Sequence, residues 1–134
     1  MSIIINILLV DDIENCRELL RAALLACIHQ HKVEIKANFF HASTGKSIPE
    51  QITLHHINLV YLDIELPHTS GLDVLKQIRQ AIPKVMVVIV SAESSAANVR
   101  SAIENGANGF IVKPFNSGRI LDSLQNYLKK VCLL

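Results

Sequence analysis

Five short runs of apolar residues alternate along the chain with longer segments in which apolar residues recur every three or four positions. A run of four to eight apolar residues is typical of a buried strand, whereas the wider spacing indicates a helix with one apolar face. The pattern therefore predicts five strands that alternate with five helices. The strand-length runs lie near residues 3–10, 35–40, 57–62, 85–90 and 109–112.

The first two predicted helices carry start signals. Apolar positions at helical spacing cover residues 16–28, and Asp12 or Asn15 is predicted to cap that helix. The second helix is expected to begin at Ser47, because Pro49 is tolerated in a first turn.

The remaining helices are marked mainly by their ends. The third should stop before Pro83, since proline cannot continue a helix. Gly106 is expected to close the fourth in a left-handed conformation. The apolar positions that define these helices are Leu72, Leu75 and Ile78, then Val99, Ala102 and Ile103, then Ile120, Leu121, Leu124, Tyr127, Leu128 and Val131.

Strands that alternate with helices imply parallel βαβ units, and continuously apolar strands imply a sheet with helices on both faces. Five such units fit an α/β, flavodoxin-like, doubly wound fold with a five-stranded parallel sheet in the order 2-1-3-4-5. No repeat or linker interrupts the 134 residues, so we expect a single domain over residues 1–134. Ligands of such folds bind beyond the carboxyl ends of the strands.

Polar residues with useful chemistry follow four of the strands: the pair Asp11–Asp12, then Asp63, Ser91 and Lys113. All should meet at one edge of the sheet. Two carboxylates about 5 Å apart repel by roughly 3 kcal/mol at an effective dielectric of about 20, so three together require a cation. Mg²⁺ prefers such oxygen ligands. Aspartate can also act as a nucleophile toward a phosphoryl group, and that transfer needs mainly positioning and charge neutralisation.

Composition narrows the function classes. Half of the residues are hydrophobic and the net charge is +1, which argues against disorder and against direct nucleic-acid binding. No apolar run approaches the roughly 20 residues of a membrane span, and the start of the chain lacks the basic region of a secretory signal. Cys16, Cys27 and Cys132 show no C-x-x-C spacing, so we expect free thiols and a cytoplasmic location.

Taken as a set, these motifs resemble the receiver domain of two-component response regulators, the CheY-like family, over about residues 5–130. Residues 59–67, Leu-Val-Tyr-Leu-Asp-Ile-Glu-Leu-Pro, are similar to the family's phosphorylation-site strand and loop, and Gly71 stands at the place of its loop glycine. Val90-Ser91-Ala92 matches the Ser/Thr-Ala signature of strand four. Residues 109–115, Gly-Phe-Ile-Val-Lys-Pro-Phe, match the end of strand five, where the family usually has a cis Lys-Pro bond.

The resemblance implies a role for each site residue. Asp63 would accept the phosphoryl group with help from Lys113 and Ser91. Mg²⁺ (or Mn²⁺) would be held by Asp12 and Asp63, by Asp11 through water and by the backbone carbonyl of Glu65. Ser91 and Phe110 would form the switch, although a plain core aromatic is the alternative for Phe110. The loop His68-Thr69-Ser70 and the negative side chain of Glu65 depart from the commonest family pattern.

The implied function is that of a signalling protein that catalyses only its own phosphorylation and dephosphorylation. Its partners would be a sensor histidine kinase or histidine phosphotransfer protein, and a downstream protein target that reads the face of helix four, strand five and helix five. No membrane or nucleic-acid partner is expected. Because no output segment follows Lys130, we expect a stand-alone regulator or a phosphorelay intermediate, unless the chain is part of a longer protein.

Two alternatives stay open: a phosphatase of small phosphomonoesters, and a pseudo-receiver that binds its partner without phosphorylation. A Walker A loop ending at Gly45-Lys46-Ser47 is rejected because Phe40 stands where that motif needs its first glycine.

Overall fold

The computed structural model describes residues 2–31 and 34–132, with Cys132 described by its backbone alone. The strands are β1 (Ser2–Val10), β2 (Glu34–Ala42), β3 (Leu59–Leu62), β4 (Glu65–Leu66), β5 (Thr69–Ser70), β6 (Met86–Ser91) and β7 (Gly109–Val112). The helices are α1 (Glu14–His29), α2 (Ile48–Leu54), α3 (Gly71–Ala81), α4 (Ala96–Glu104) and α5 (Ser117–Cys132). Cys16 and Cys27 are free thiols, and the predicted free thiol of Cys132 lies outside the described side chains.

The main sheet has five parallel strands in the order β2-β1-β3-β6-β7. Strands β4 and β5 pair with each other as a separate antiparallel hairpin. When this hairpin is set aside, the observed order is the predicted 2-1-3-4-5, and the predicted flavodoxin-like fold is confirmed.

Helices cover both faces of the sheet. Successive side chains of a strand point to opposite faces, so each central strand contributes to two hydrophobic clusters. In β1, Ile5, Ile7 and Leu9 pack with α1 and α5 in one hydrophobic cluster. Leu8 and Val10 pack with α2, α3 and α4 in the other. Burial on both faces explains why the central strand β3 is continuously apolar, whereas β2, at the edge of the sheet, alternates apolar residues with Glu34, Lys36 and Asn38.

The predicted helix ends are partly corrected. Ser47 precedes α2 as expected, and Gly106 follows α4 with φ of 98°. The predicted caps of α1 are wrong, since Ile13 occupies the N-cap position and no side chain caps the helix there. The carboxylate of Asp12 instead lies near those of Asp11 and Asp63, and Asp11 Oδ1 accepts the backbone N–H of Ile13 at 2.9 Å.

Candidate functional site

The ends of two neighbouring parallel strands deliver the central carboxylates. Asp11 follows β1 and Asp63 follows β3, and both residues are at least nine-tenths buried. Their backbones continue the ladder by one bond each, because Asp11 N–H donates to the carbonyl of Ala42 and Asp63 N–H to that of Val10, both at 3.0 Å. The two carboxylates are therefore fixed by the sheet and not by a free loop.

Lys113 joins the two carboxylates. Its Nζ donates to Asp11 Oδ2 at 2.6 Å and to Asp63 Oδ2 at 2.9 Å. Burial alone lowers the pKa of Lys113, but the hydrogen bonds and charges of the two aspartates outweigh burial, so the pKa is raised overall. Lys113, 50 residues after Asp63 in the sequence, therefore stays positively charged in contact with the candidate nucleophile Asp63.

Asp12 completes a group of three acids. One carboxylate oxygen from each of Asp11, Asp12 and Asp63 lies within 4.8 Å of the other two, and Asp12 is exposed. Three carboxylates this close together are suitable ligands for Mg²⁺ or Mn²⁺, which bind through carboxylates, phosphate and water. The acidic cluster predicted from the sequence is therefore present, and its donor set suits the predicted metal.

Ser91 and Phe110 lie on the adjacent strands. Ser91 ends β6, is fully buried, and its Oγ accepts the backbone N–H of Glu93 at 3.1 Å. The carbonyl of Ser91 accepts the N–H of Lys113 at 3.0 Å, which ties β6 to the lysine. Phe110, opposite Ile89 in the ladder, is half-buried against the cluster that α2, α3 and α4 cover. The side chain of Ser91 is therefore buried, next to the strand β7 that leads into Lys113. The side chain of Phe110 is only half-buried.

Comparisons with known proteins agree with this geometry. The family model of the response regulator receiver domain matches residues 7–125. The chain belongs to this family. It is 32% identical over 123 residues to the chemotaxis protein CheY of Bacillus subtilis, and the match covers 92% of this chain and 97% of that protein.

Solved receiver domains share the fold. The receiver domain of NtrX from Brucella abortus has a TM-score of 0.77 at 30% identity, covering 92% of this chain and 98% of the other. A receiver domain protein from Clostridium thermocellum has a TM-score of 0.80 at 21% identity, covering 96% of this chain and 98% of the other, which supports the fold alone. Among the described residues of this receiver, no helix has the length and apolarity that a membrane span requires.

The loop after Asp63 is shaped by the short hairpin of β4 and β5, which the sequence did not predict. Glu65 opens β4 with an exposed side chain, and its N–H donates to Asp63 Oδ1 at 3.1 Å. Gly71 ends the loop, donates its N–H to the carbonyl of Ile64 at 2.6 Å and starts α3. Glu65 thus reaches the phosphoacceptor candidate through its backbone, whereas its carboxylate lies outside the three-acid group found among the described residues.

Two further features complete the receiver's site. The Lys113–Pro114 peptide bond is cis, as the resemblance predicts. Arg17 was missed by the sequence reasoning, although its Nη1 donates to the backbone carbonyl of Asp11 at 2.5 Å. The only available signal was its place one turn into the helix that follows the acid pair.

Proposed function

We propose that the domain accepts a phosphoryl group from a phosphohistidine donor onto Asp63. The observation that carries this proposal is the placement of Lys113 Nζ within 2.6 Å of Asp11 and 2.9 Å of Asp63, next to the exposed carboxylate of Asp12. This arrangement supports Asp63 as a nucleophile, because a cation lies beside it and the exposed carboxylate of Asp12 is close by. Family membership supports the donor class, a sensor histidine kinase or a histidine phosphotransfer protein.

The transfer exchanges one bond to phosphorus for another. Asp63 Oδ attacks the phosphorus, the N–P bond of the donor breaks, and its electron pair returns to the imidazole, so that no other reactant is required. Mg²⁺ or Mn²⁺, held by Asp11, Asp12, Asp63 and the backbone carbonyl of Glu65, would supply positive charge to the phosphoryl oxygens. The Lys113 ammonium would add further positive charge, and the Ser91 hydroxyl would donate a hydrogen bond to a phosphoryl oxygen.

The proposed output is conformational. A phosphoryl group adds about −1.5 to −2 charges at neutral pH. Movement of the Ser91 hydroxyl toward this charge would free space for Phe110 and repack the face of α4, β7 and α5, which a downstream protein target reads. The domain acts in this proposal as a single cytoplasmic unit without direct contact to nucleic acid or membrane.

Incubation with acetyl phosphate and Mg²⁺ tests the proposal. We expect the intact mass to increase by one phosphoryl group per chain. Multiple turnovers of a generic phosphomonoester would support the phosphatase alternative instead, and failure to label would support the pseudo-receiver. A phosphotransfer screen against the histidine kinases of the source organism would then identify the donor.

Mg²⁺ is expected to stabilise the fold, because it relieves repulsion among three carboxylates that are close together only in the native state. At a concentration 100 times the Kd, such binding raises the free energy of unfolding by about 2.7 kcal/mol. Asp12→Ala should remove most of the Mg²⁺-dependent shift of the Tm in calorimetry. Asp122→Ala, which removes an exposed aspartate of α5, is the matched control, and a full shift in the Asp12 variant would place the metal elsewhere.

Glu65→Gln is expected to accelerate labelling by acetyl phosphate. The exposed Glu65 carboxylate borders the phosphoacceptor loop, so its charge repels an anionic donor. The gain should be about two- to fivefold, because exposed charges contribute no more than ~1 kcal/mol. Labelling rates at low and high salt measure it, since salt screens the repulsion. Glu104→Gln at the end of α4 is the control, and equal rates at low salt with saturating Mg²⁺ would show that the Glu65 charge has no effect.

A further inference from the structure

Arg17 contacts the acid pair without forming an ion pair with it. The residue lies in the first turns of α1, and its half-buried guanidinium makes two hydrogen bonds. Nη1 donates to the backbone carbonyl of Asp11 at 2.5 Å, and Nε donates to Nδ1 of His41 at 3.3 Å. The planar, rigid fork of arginine is suited to such a fixed pair of acceptors.

The Arg17 contact completes the immobilisation of Asp11. The N–H of Asp11 donates to Ala42, and its two carboxylate oxygens accept from Ile13 and Lys113. The carbonyl is the one remaining polar group of the residue, and Arg17 holds it. Each polar group of Asp11 therefore has its own hydrogen-bond partner.

Holding this carbonyl also constrains Asp12. The Asp11 carbonyl belongs to the peptide unit that joins the two acids, and a peptide unit is planar. Once its oxygen is fixed on Arg17, the opposite end of the same plane, at the Asp12 nitrogen and Cα, is fixed as well. The backbone position from which the exposed Asp12 side chain extends toward the other two carboxylates is therefore fixed.

The charge of Arg17 acts in the same direction. Among the described residues the salt bridges are those of Lys113, so the guanidinium of Arg17 has no carboxylate partner there. It nevertheless lines the same cavity of about 10 Å³ as Asp11, Asp63 and Lys113. A cation at this place reduces repulsion among the acids, and its own hydrogen bonds go to His41 and to a backbone carbonyl, so they do not occupy a carboxylate oxygen.

We propose that Arg17 is a positioning residue of the metal site, which sets the relative orientation of Asp11 and Asp12 for a divalent cation. The inference rests on the proposed function. It predicts that Arg17 governs the affinity for Mg²⁺ more than the rate of phosphoryl transfer once Mg²⁺ is saturating. Residues that orient metal ligands typically change metal affinity by about 10- to 100-fold when they are replaced.

The test is a Mg²⁺ titration of the wild type, Arg17→Ala and Arg17→Lys, followed by amide NMR shifts or calorimetry. We expect Arg17→Ala to weaken Mg²⁺ binding about tenfold or more. Arg17→Lys should recover only part of the affinity, because lysine keeps the charge but lacks the planar fork. Labelling by acetyl phosphate should require more Mg²⁺ for half-maximal rate in Arg17→Ala, with a maximal rate within about twofold of the wild type.

Arg21→Ala is the matched control. Arg21 lies one turn further along α1, where its guanidinium is 5.3 Å from the centre of the Phe39 ring, and the ion pairs found among the described residues do not include it. Its replacement should leave the Mg²⁺ affinity unchanged. If Arg17→Ala does not fold, Arg17→Gln, which keeps an amide donor, should show the same direction of change.

The outcomes separate this inference from the proposed function. Wild-type Mg²⁺ affinity in Arg17→Ala, with or without a loss of thermal stability, would overturn the positioning role and leave the proposed function intact. A wild type that binds Mg²⁺ but accepts no phosphoryl group would overturn the proposed function. The ratio of the Mg²⁺ affinities of Arg17→Ala and the wild type would still decide the role of Arg17. A wild type that binds no Mg²⁺ would overturn the inference.

Discussion

Asp63→Asn is expected to abolish the gain of one phosphoryl mass on incubation with acetyl phosphate and Mg²⁺. The substitution keeps the shape of the side chain, and an asparagine Oδ1 can still accept the N–H of Glu65 that Asp63 accepts at 3.1 Å. It removes the anionic oxygen that would attack phosphorus. Lys113 keeps its second partner, Asp11, at 2.6 Å, so the site should remain assembled. Intact-mass spectrometry measures the loss.

The control for this prediction is Asp73→Asn, which changes an exposed aspartate in the first turn of α3 by the same single group. It should be labelled at the wild-type rate. Labelling of the Asp63 variant at an unchanged rate would assign the phosphoacceptor to another residue. Loss of labelling in both variants would indicate a disturbed fold, which circular dichroism would detect.

The sequence predicted the sheet well because strands that are buried on both faces consist of uninterrupted runs of apolar residues. Strands β3 and β6 are buried at every position, and their residues are apolar except for Ser91 at the end of β6. The same physics located the site, since parallel strands end at one edge and Asp11, Asp63 and Lys113 each follow a strand. Their meeting in two ion pairs of 2.6 and 2.9 Å therefore follows from topology together with strand register.

The parts that the sequence did not predict depend on contacts between distant residues. The two-residue strands β4 and β5 are too short to carry a periodicity. Arg79 is one of several polar residues on α3, yet its guanidinium donates to the carbonyls of Gly106 at 2.9 Å and Val85 at 2.6 Å. No local pattern distinguishes such an arginine from a solvated one, and for Arg17 the only local signal is its place one turn into the helix that follows the acid pair.

A buried polar pair illustrates the same limit. Tyr61 and Ser123 share a hydrogen bond of 2.7 Å across the core, and Ser123 also donates to the carbonyl of Ile120 at 2.7 Å. Burial raises the pKa of Tyr61, which keeps its hydroxyl neutral. From the sequence alone, Tyr61 is simply one apolar position of a strand. Its polar end joins the strand of the phosphoacceptor to α5, and only the three-dimensional packing reveals this bond.

Gly71→Ala is expected to lower both the stability and the activity of the domain. A Cβ atom at this position would lie 2.0 Å from the carbonyl oxygen of Asp63 and 2.6 Å from Cα of Ile64. Both are backbone atoms, so the loop that carries the phosphoacceptor has to shift. Such overpacking typically lowers the free energy of unfolding by about 1–3 kcal/mol. The loss should appear even though alanine is favoured over glycine inside a helix by about 1 kcal/mol.

The displacement should also slow the chemistry, because a shift of about 1 Å in a reacting group can cost on the order of 100-fold in rate. We expect labelling of Asp63 to slow by about 10- to 100-fold in Gly71→Ala. Gly109→Ala is the matched control, since a Cβ atom there would meet Val88 at an ordinary 3.7 Å. Thermal unfolding and initial labelling rates measure both effects. A Gly71 variant with the stability and rate of the control would show that the loop yields without moving Asp63.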